Sequence, residues 1–313
     1  MEKPETISLY EFFQKFPNEE SARLYFEGRR WENGKYCPHC GSFEVVEVKD
    51  HKPMPYRCKD CRKHFSVRTA SVLEESRLPL QKWLMAMYMM TTARKGIPST
   101  QMAKELGITQ KSAWFLAQRI REAFMANVPA AGGGEKIGGN LEVDETYIGG
   151  KETNRHANKK LRKGRGSVGK SIVVGLKQRN GVVVAEVAPN ISKKTLHAFV
   201  LRHADSGASI YTDSLYSYHG LEAHYYHRMV NHAVGEYVKH QAHTNGIESF
   251  WALLKRGYYG VYHYMSAKHL HRYVGEFSYR HNTATIGTLQ FIDQTIANSA
   301  NRRLTYKELT NAA

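Results

Sequence analysis

All four cysteines of this 313-residue chain fall between positions 37 and 61. They stand as Cys37-Pro-His-Cys40 and Cys58-Lys-Asp-Cys61, with the 17 residues from Gly41 to Arg57 between the pairs. A knuckle with two residues between its thiols offers two thiolates to one ion, and two such knuckles complete a tetrahedron. The pattern therefore predicts one structural Zn²⁺ site. Gly41 suits the tight reversal after the first knuckle. His39 and His64 lie close in sequence, but four thiolates already satisfy the ion, so both histidines read as solvated surface residues. Two disulfides rank below zinc. The opening MEKPETISLYEFFQKF is charged where a secretory signal needs an apolar run, which predicts a reducing cytoplasmic setting.

Charge points to the partner. Lys plus Arg is 45 and Asp plus Glu is 29, a net charge of +16. With 42% hydrophobic and 24% charged residues the chain is composed like an ordinary globular protein. The surplus predicts attraction to a polyanion, nucleic acid or an anionic membrane. The apolar run from Trp83 to Met90 is far below the roughly 20 residues that span a bilayer, so no membrane partner is expected. Lys59, Arg62, Lys63, His64 and Arg68 surround the second knuckle and suit phosphate contacts.

Composition divides the chain into N-terminal helices and a zinc ribbon over 1–78, a helical region over 79–127, a Gly- and Ala-rich linker over 128–140, an α/β domain over 141–285 and a helix-like tail over 286–313. In LPLQKWLMAMYMMTTARKG, residues Leu80, Trp83, Leu84, Met87, Tyr88 and Thr91 fall on one helical face and read as core. GIPSTQMAKELGITQKSAWFLAQRIREAF reads as a helix capped by Ser99, a turn at Gly107 and a longer helix capped by Thr109. That is a helix-turn-helix pattern. It sets Gln110, Lys111 and Ser112 toward bases, and Arg119 and Arg121 toward phosphates or solvent. A helical packing unit without DNA contact is the weaker alternative.

After the linker the period changes. LEVDETYIG, KSIVVGLKQ and VVVAEVA read as strands, the last two joined by Arg179-Asn180-Gly181, a hairpin signal. KTLHAFVLRHA reads as a helix, SIYT and HYYHRMV as strands, and 246–256 as a helix. Asp144 sits in the first strand, Asp213 just after SIYT, and Glu248 in the last helix. Carboxylates at strand ends and on a following helix can hold two divalent ions for phosphoryl transfer, and oxygen ligands favour Mg²⁺ or Mn²⁺. Glu145 points to the opposite strand face and reads as a surface or salt-bridged residue. Tyr147, Tyr211 and Tyr216 read as packing. Asn245, Glu248 and Lys255 share one helix face, so that Lys255 or Arg256 meets a phosphate. Between the first two strands, KETNRHANKKLRKGRGSVGK carries Lys160, Arg162, Lys163 and Arg165 among its cations. This tract reads as a phosphate-backbone contact.

These segments resemble bacterial DDE-type insertion-sequence transposases that carry an N-terminal zinc ribbon, of the ISXO-like branch. The resemblance runs from FPNEESARLYFEGRRW and CPHCG to the end of the α/β domain. VDETYIGGK, YTDSLYSY and HTNGIESFWALLKRG are its most specific pieces. It implies a multidomain α+β chain of zinc ribbon, helix-turn-helix and ribonuclease-H-like catalytic domain. Asp144, Asp213 and Glu248 match the metal-binding carboxylates, and Lys255 matches a lysine after the third acidic position. Family members use either Asn or Glu at that third position, and both Asn245 and Glu248 are present. The greater affinity of a carboxylate for Mg²⁺ assigns Glu248. The implied activity is metal-dependent cleavage at the ends of the element and transfer of the freed strand to target double-stranded DNA, by a homodimer or larger assembly. A non-catalytic DNA-binding regulator and a nuclease that cuts without joining are the rival functions.

Overall fold

The computed structural model describes residues 4–125, 136–150, 156, 158, 167–230 and 243–311. The chain divides into two units, Met1–Ala126 with Thr285–Ala313, and Asn127–Ala284.

The first unit opens with α1 (Leu9–Lys15) and α2 (Glu19–Arg30). Each begins at a reciprocal capping box, Ser8 with Glu11 and Asn18 with Ser21, which satisfies amides that a helix start leaves open. Three short strands follow, β1 (Val45–Glu47), β2 (Tyr56–Cys58) and β3 (His64–Phe65), antiparallel in that order. In α3 (Leu80–Thr92) the residues Leu80, Trp83, Leu84, Met87 and Tyr88 are buried, as their spacing predicts. Helices α4 (Ser99–Leu106) and α5 (Gln110–Phe124) are joined at Gly107, whose φ of 58° is the left-handed conformation that glycine adopts without strain. Thr109 caps α5 as expected. Pro98, not Ser99, is the cap residue of α4. Ser99 is the first helical residue, and its hydroxyl accepts from Gln110.

The second unit is a mixed sheet with helices on both faces. Strand β4 (Asn140–Ile148) pairs antiparallel with β5 (Ser171–Gln178), and β5 antiparallel with β6 (Val183–Ala188). Asn180 (φ 56°) turns that second hairpin. Helix α6 (Lys193–His203) then crosses over to β7 (Ser209–Asp213), parallel to β4, and β8 (Tyr226–Val230) is parallel to β7. The sheet order is β6-β5-β4-β7-β8. Alternation along β4 decides what each face buries. Leu141 and Val143 pack in one core with Leu196, Phe199 and Val200 of α6. The other face carries α7 (Asn245–Gly257) and α8 (Leu270–Asn282), whose Ile247, Trp251, Val274 and Phe277 form a second core with Val173 and Val183.

The last segment returns to the first unit. Helix α9 (Thr288–Asn298) sets Phe291 against Phe124 at 5.5 Å between ring centroids, and its Asp293 pairs with Arg29 at 2.9 Å and accepts from the Tyr25 hydroxyl. A short α10 (Tyr306–Thr310) follows, capped by Thr305. The tail beyond residue 285 is thus part of the core built by α2, α3 and α5. Among the described residues, no helix is long and apolar enough to cross a membrane.

Candidate active site

The ladder between β4 and β7 ends at Glu142 opposite Tyr211, but β7 stops at Asp213 while β4 runs on to Ile148. Among the described residues, no strand continues beside β4 beyond the end of β7. One carboxylate oxygen from each of Asp144, Glu145 and Asp213 lies within 4.8 Å of the others at this place. Glu145 does leave β4 on the face opposite Asp144, as alternation requires. It is nevertheless half-buried inside the acidic group, not a surface residue, because its longer side chain reaches round the strand end.

Each carboxylate is held by a donor from a different element. Trp251 Nε1 donates to Asp144 Oδ2 at 3.0 Å, the Tyr218 hydroxyl to Glu145 Oε2 at 2.8 Å, and the Leu215 amide to Asp213 Oδ1 at 3.0 Å. Burial, then the negative charges of Glu145 and Asp213, push the Asp144 carboxyl up to about 7, against the pull of the Trp251 donor. Burial also raises Glu145, with the Tyr218 hydroxyl acting the other way. Three crowded carboxylates need a proton or a cation among them. Hard oxygen donors in this number fit a divalent cation.

In the first unit the four cysteine sulfurs meet as their spacing predicts. Cys37 and Cys61 Sγ are 3.6 Å apart, as are Cys40 and Cys58 Sγ. A tetrahedron with Zn–S bonds of about 2.3 Å has edges of about 3.8 Å, so the four fit one zinc ion. The Cys61 backbone N–H directed at Cys58 Sγ is the largest influence drawing that thiol down to about 7. Gly41 has a φ of 79°, the reversal expected after the first knuckle.

Residues 136–282 match the model of the ISXO2-like transposase domain, and residues 17–64 match that of the transposase zinc-ribbon domain. The first match takes in all five strands of the second unit's sheet, and the second takes in all four cysteines. The chain is also 27% identical over 253 residues to a protein of the transposable element ISH50 from Halobacterium salinarum, an alignment covering 77% of this chain and 83% of that one. The acidic group lies within the stretch similar to the transposase domain, and the cysteine cluster within the stretch similar to the transposase zinc ribbon.

Other expected residues are placed differently. Glu248 is in the first turn of α7, but its carboxylate accepts from the Thr244 hydroxyl at 2.9 Å and is not among the three that converge. Asn245 is the exposed first residue of that helix, and Lys255 is half-buried near its end. Gln110 and Lys111 are exposed at the start of α5, where Gln110 donates to Ser99 at 2.8 Å and Lys111 Nζ lies 4.6 Å from the Tyr306 ring centroid. Ser112 is half-buried, its amide on the Thr109 cap. Lys160, Arg162, Lys163 and Arg165 lie outside the described residues.

Two expectations are corrected. Arg119 and Arg121 face neither solvent nor phosphate, since they are only 5% and 2% exposed. Arg119 spends its charge on the Glu74 carbonyl and its guanidinium plane on the Phe115 ring at 4.9 Å, and burial pulls it down to about 10. Tyr216 is 79% exposed and stacks on His219 at the surface, so it is not packing. The tyrosine that matters to the acidic group is Tyr218, fully buried two residues on. Tyr218, Trp251 and Glu145 carried no signal in the sequence beyond their nearness to the acidic motifs.

Proposed function

We propose that this protein is the DNA transposase of an insertion sequence, acting on double-stranded DNA at the element ends and at the target. The convergence of Asp144, Glu145 and Asp213 at the strand-end opening carries this reading. Three antiparallel strands followed by two parallel ones, with a helix crossing between, support a ribonuclease-H-like catalytic domain. The short helix, left-handed glycine and longer helix of 99–124 support a helix-turn-helix. In it Gln110, Lys111 and Ser112 read bases of the terminal repeats. Lys160, Arg162, Lys163 and Arg165 take backbone phosphates.

Asp144 and Asp213 hold the divalent cations, with Glu248 as the third acidic member once it turns from Thr244. Bound Mg²⁺ or Mn²⁺ supplies the Lewis acidity needed to activate water and offset charge on the phosphate. Trp251, Tyr218 and the Leu215 amide keep the three converging carboxylates oriented. Lys255 and Asn245 meet phosphate oxygens. Water attacks the phosphodiester at the element end, breaking its bond to the 3′-oxygen and leaving a 3′-hydroxyl and a 5′-phosphate. That hydroxyl then attacks a target phosphodiester and displaces a target 3′-hydroxyl, with the proton of each attacking oxygen passing to the departing one. Neither step uses a covalent protein intermediate. Joining two ends calls for a homodimer or larger assembly.

The test uses labelled element-end DNA, intact and pre-cut, with Mg²⁺. The expected result is cleavage of the first and joining of the second, both abolished by Asp213→Asn and Glu248→Gln at unchanged DNA binding, with a smaller loss for Asn245→Ala. Cutting without joining makes the protein a nuclease, and binding alone makes it a regulator. Normal cutting by Glu248→Gln with an inactive Asn245→Ala moves the third position to Asn245.

A further inference from the structure

Glu142 stands two residues before Asp144 on the same face of β4 and is only 1% exposed. Its Oε2 accepts the backbone N–H of Ile247, in the first turn of α7, at 2.9 Å. Its Oε1 accepts from Arg179 Nε at 3.2 Å and lies 3.2 Å from His243 Nδ1. Arg179 also donates to the His243 carbonyl at 3.1 Å, and its guanidinium lies 4.2 Å from the Tyr211 ring centroid. The positive end of the helix dipole faces the carboxylate. The fit is close, because a Cβ on Gly246 would sit 2.7 Å from Glu142 Oε2.

The second contact between these elements is the bond from Trp251 to Asp144. Ile247 and Trp251 are four apart on the helix, a rise of about 6.0 Å. Glu142 and Asp144 are two apart on the strand, about 6.6 Å. The near-equal spacings let α7 lie along β4 on two rungs, so its register is defined at both points. A buried ion pair adds little net stability compared with apolar packing, and what this one supplies is register.

We infer that Glu142 is a positioning residue for the transposase reaction: it anchors the first turn of α7 and so sets where Glu248 meets the Asp144 carboxylate. This rests on the reading of Glu248 as the third acidic member. A slip of one residue along α7 would turn Glu248 by about 100° and move it about 1.5 Å.

The experiment compares full-length Glu142→Gln, Gly246→Ala and Glu248→Gln with the parent. Readouts are Mn²⁺ binding by electron paramagnetic resonance without DNA, element-end binding, and single-turnover cleavage against DNA and Mn²⁺ concentration. Glu142→Gln loses the charge that holds Arg179. Gly246→Ala crowds the same contact from the helix side and stays foldable, since alanine favours helix. For both, DNA affinity should stay within about twofold while Mn²⁺ affinity and maximal cleavage each fall about tenfold, the scale for residues that orient metal ligands. The cleavage loss should shrink at high Mn²⁺, which a general loss of stability would not produce. Parental Mn²⁺ affinity and rate in folded Glu142→Gln or Gly246→Ala, with Glu248→Gln inactive, overturns the inference alone. A parental rate in Glu248→Gln overturns the assignment of the third carboxylate and this inference with it.

Discussion

Trp251 lies over the α-carbon of Gly175, where a Cβ would be 2.6 Å from indole Cη2. Gly175 is the residue directly opposite Asp144 in the β4–β5 ladder. The missing side chain on one strand is therefore the space through which the indole reaches the carboxylate on the next, and the Trp251–Asp144 hydrogen bond depends on it.

Gly175→Ala is expected to displace the indole, with a destabilisation of about 1–3 kcal/mol from overpacking. Thermal melting should fall by several degrees, and metal-free Asp144 should titrate still higher once the donor is lost. An unchanged melting temperature and an unchanged Trp fluorescence spectrum would show that the slot is looser than described.

In the metal-free protein Asp144 keeps its proton up to about pH 7, against 3.8 for the ordinary group. Because the folded value is raised, this group makes the metal-free fold less stable as pH rises from about 4 to about 7. A cation must expel the proton, so Mn²⁺ affinity should rise with pH and level off above about 7. Calorimetry in buffers of different ionisation enthalpy should find release of about one proton at pH 5.5 and little at 8.5. Asp144→Asn should remove that release.

Purified protein should carry about one zinc per chain, held by Cys37, Cys40, Cys58 and Cys61. Cys58→Ser or a strong chelator should remove it and expose residues 37–65 to proteolysis, with the sheet of the second unit retained by circular dichroism. Four cysteines found as disulfides under reducing conditions would falsify the site.

Arg119 and Lys111, eight positions apart on α5, should behave oppositely on substitution. Arg119→Ala removes a buried guanidinium that packs on Phe115, and should cost about 1–3 kcal/mol of stability through lost packing and hydrogen bonding. Lys111→Ala should leave melting unchanged and reduce discrimination between terminal-repeat and random DNA in a competition binding assay. Equal discrimination by parent and Lys111→Ala counts against base reading by this helix end.

What the sequence determined by itself is what depends on neighbours along the chain. The cysteine knuckles, Gly41 and Gly107 in left-handed turns, the Asn180 hairpin, the buried face of α3 and the order of strands and helices after residue 140 all follow from local spacing and propensity. Asp144 and Asp213 were legible as a pair because one lies within the first strand of the domain and the other at the end of a later strand. What only the tertiary structure decided is where a strand stops relative to its neighbour. β7 ends before β4, and this lets Glu145 join from the other face, a convergence that period-two alternation by itself argues against. The same holds for Tyr218, Trp251 in the space left by Gly175, and Glu142 beneath the start of α7. Arg119 and Arg121 read as surface cations because their charge is visible in the sequence, while the packing that buries them comes from elements distant along the chain. Hydrogen-bond partners more than 70 residues away leave no period to detect, since pairing across that distance is set by how the sheet and its covering helices pack.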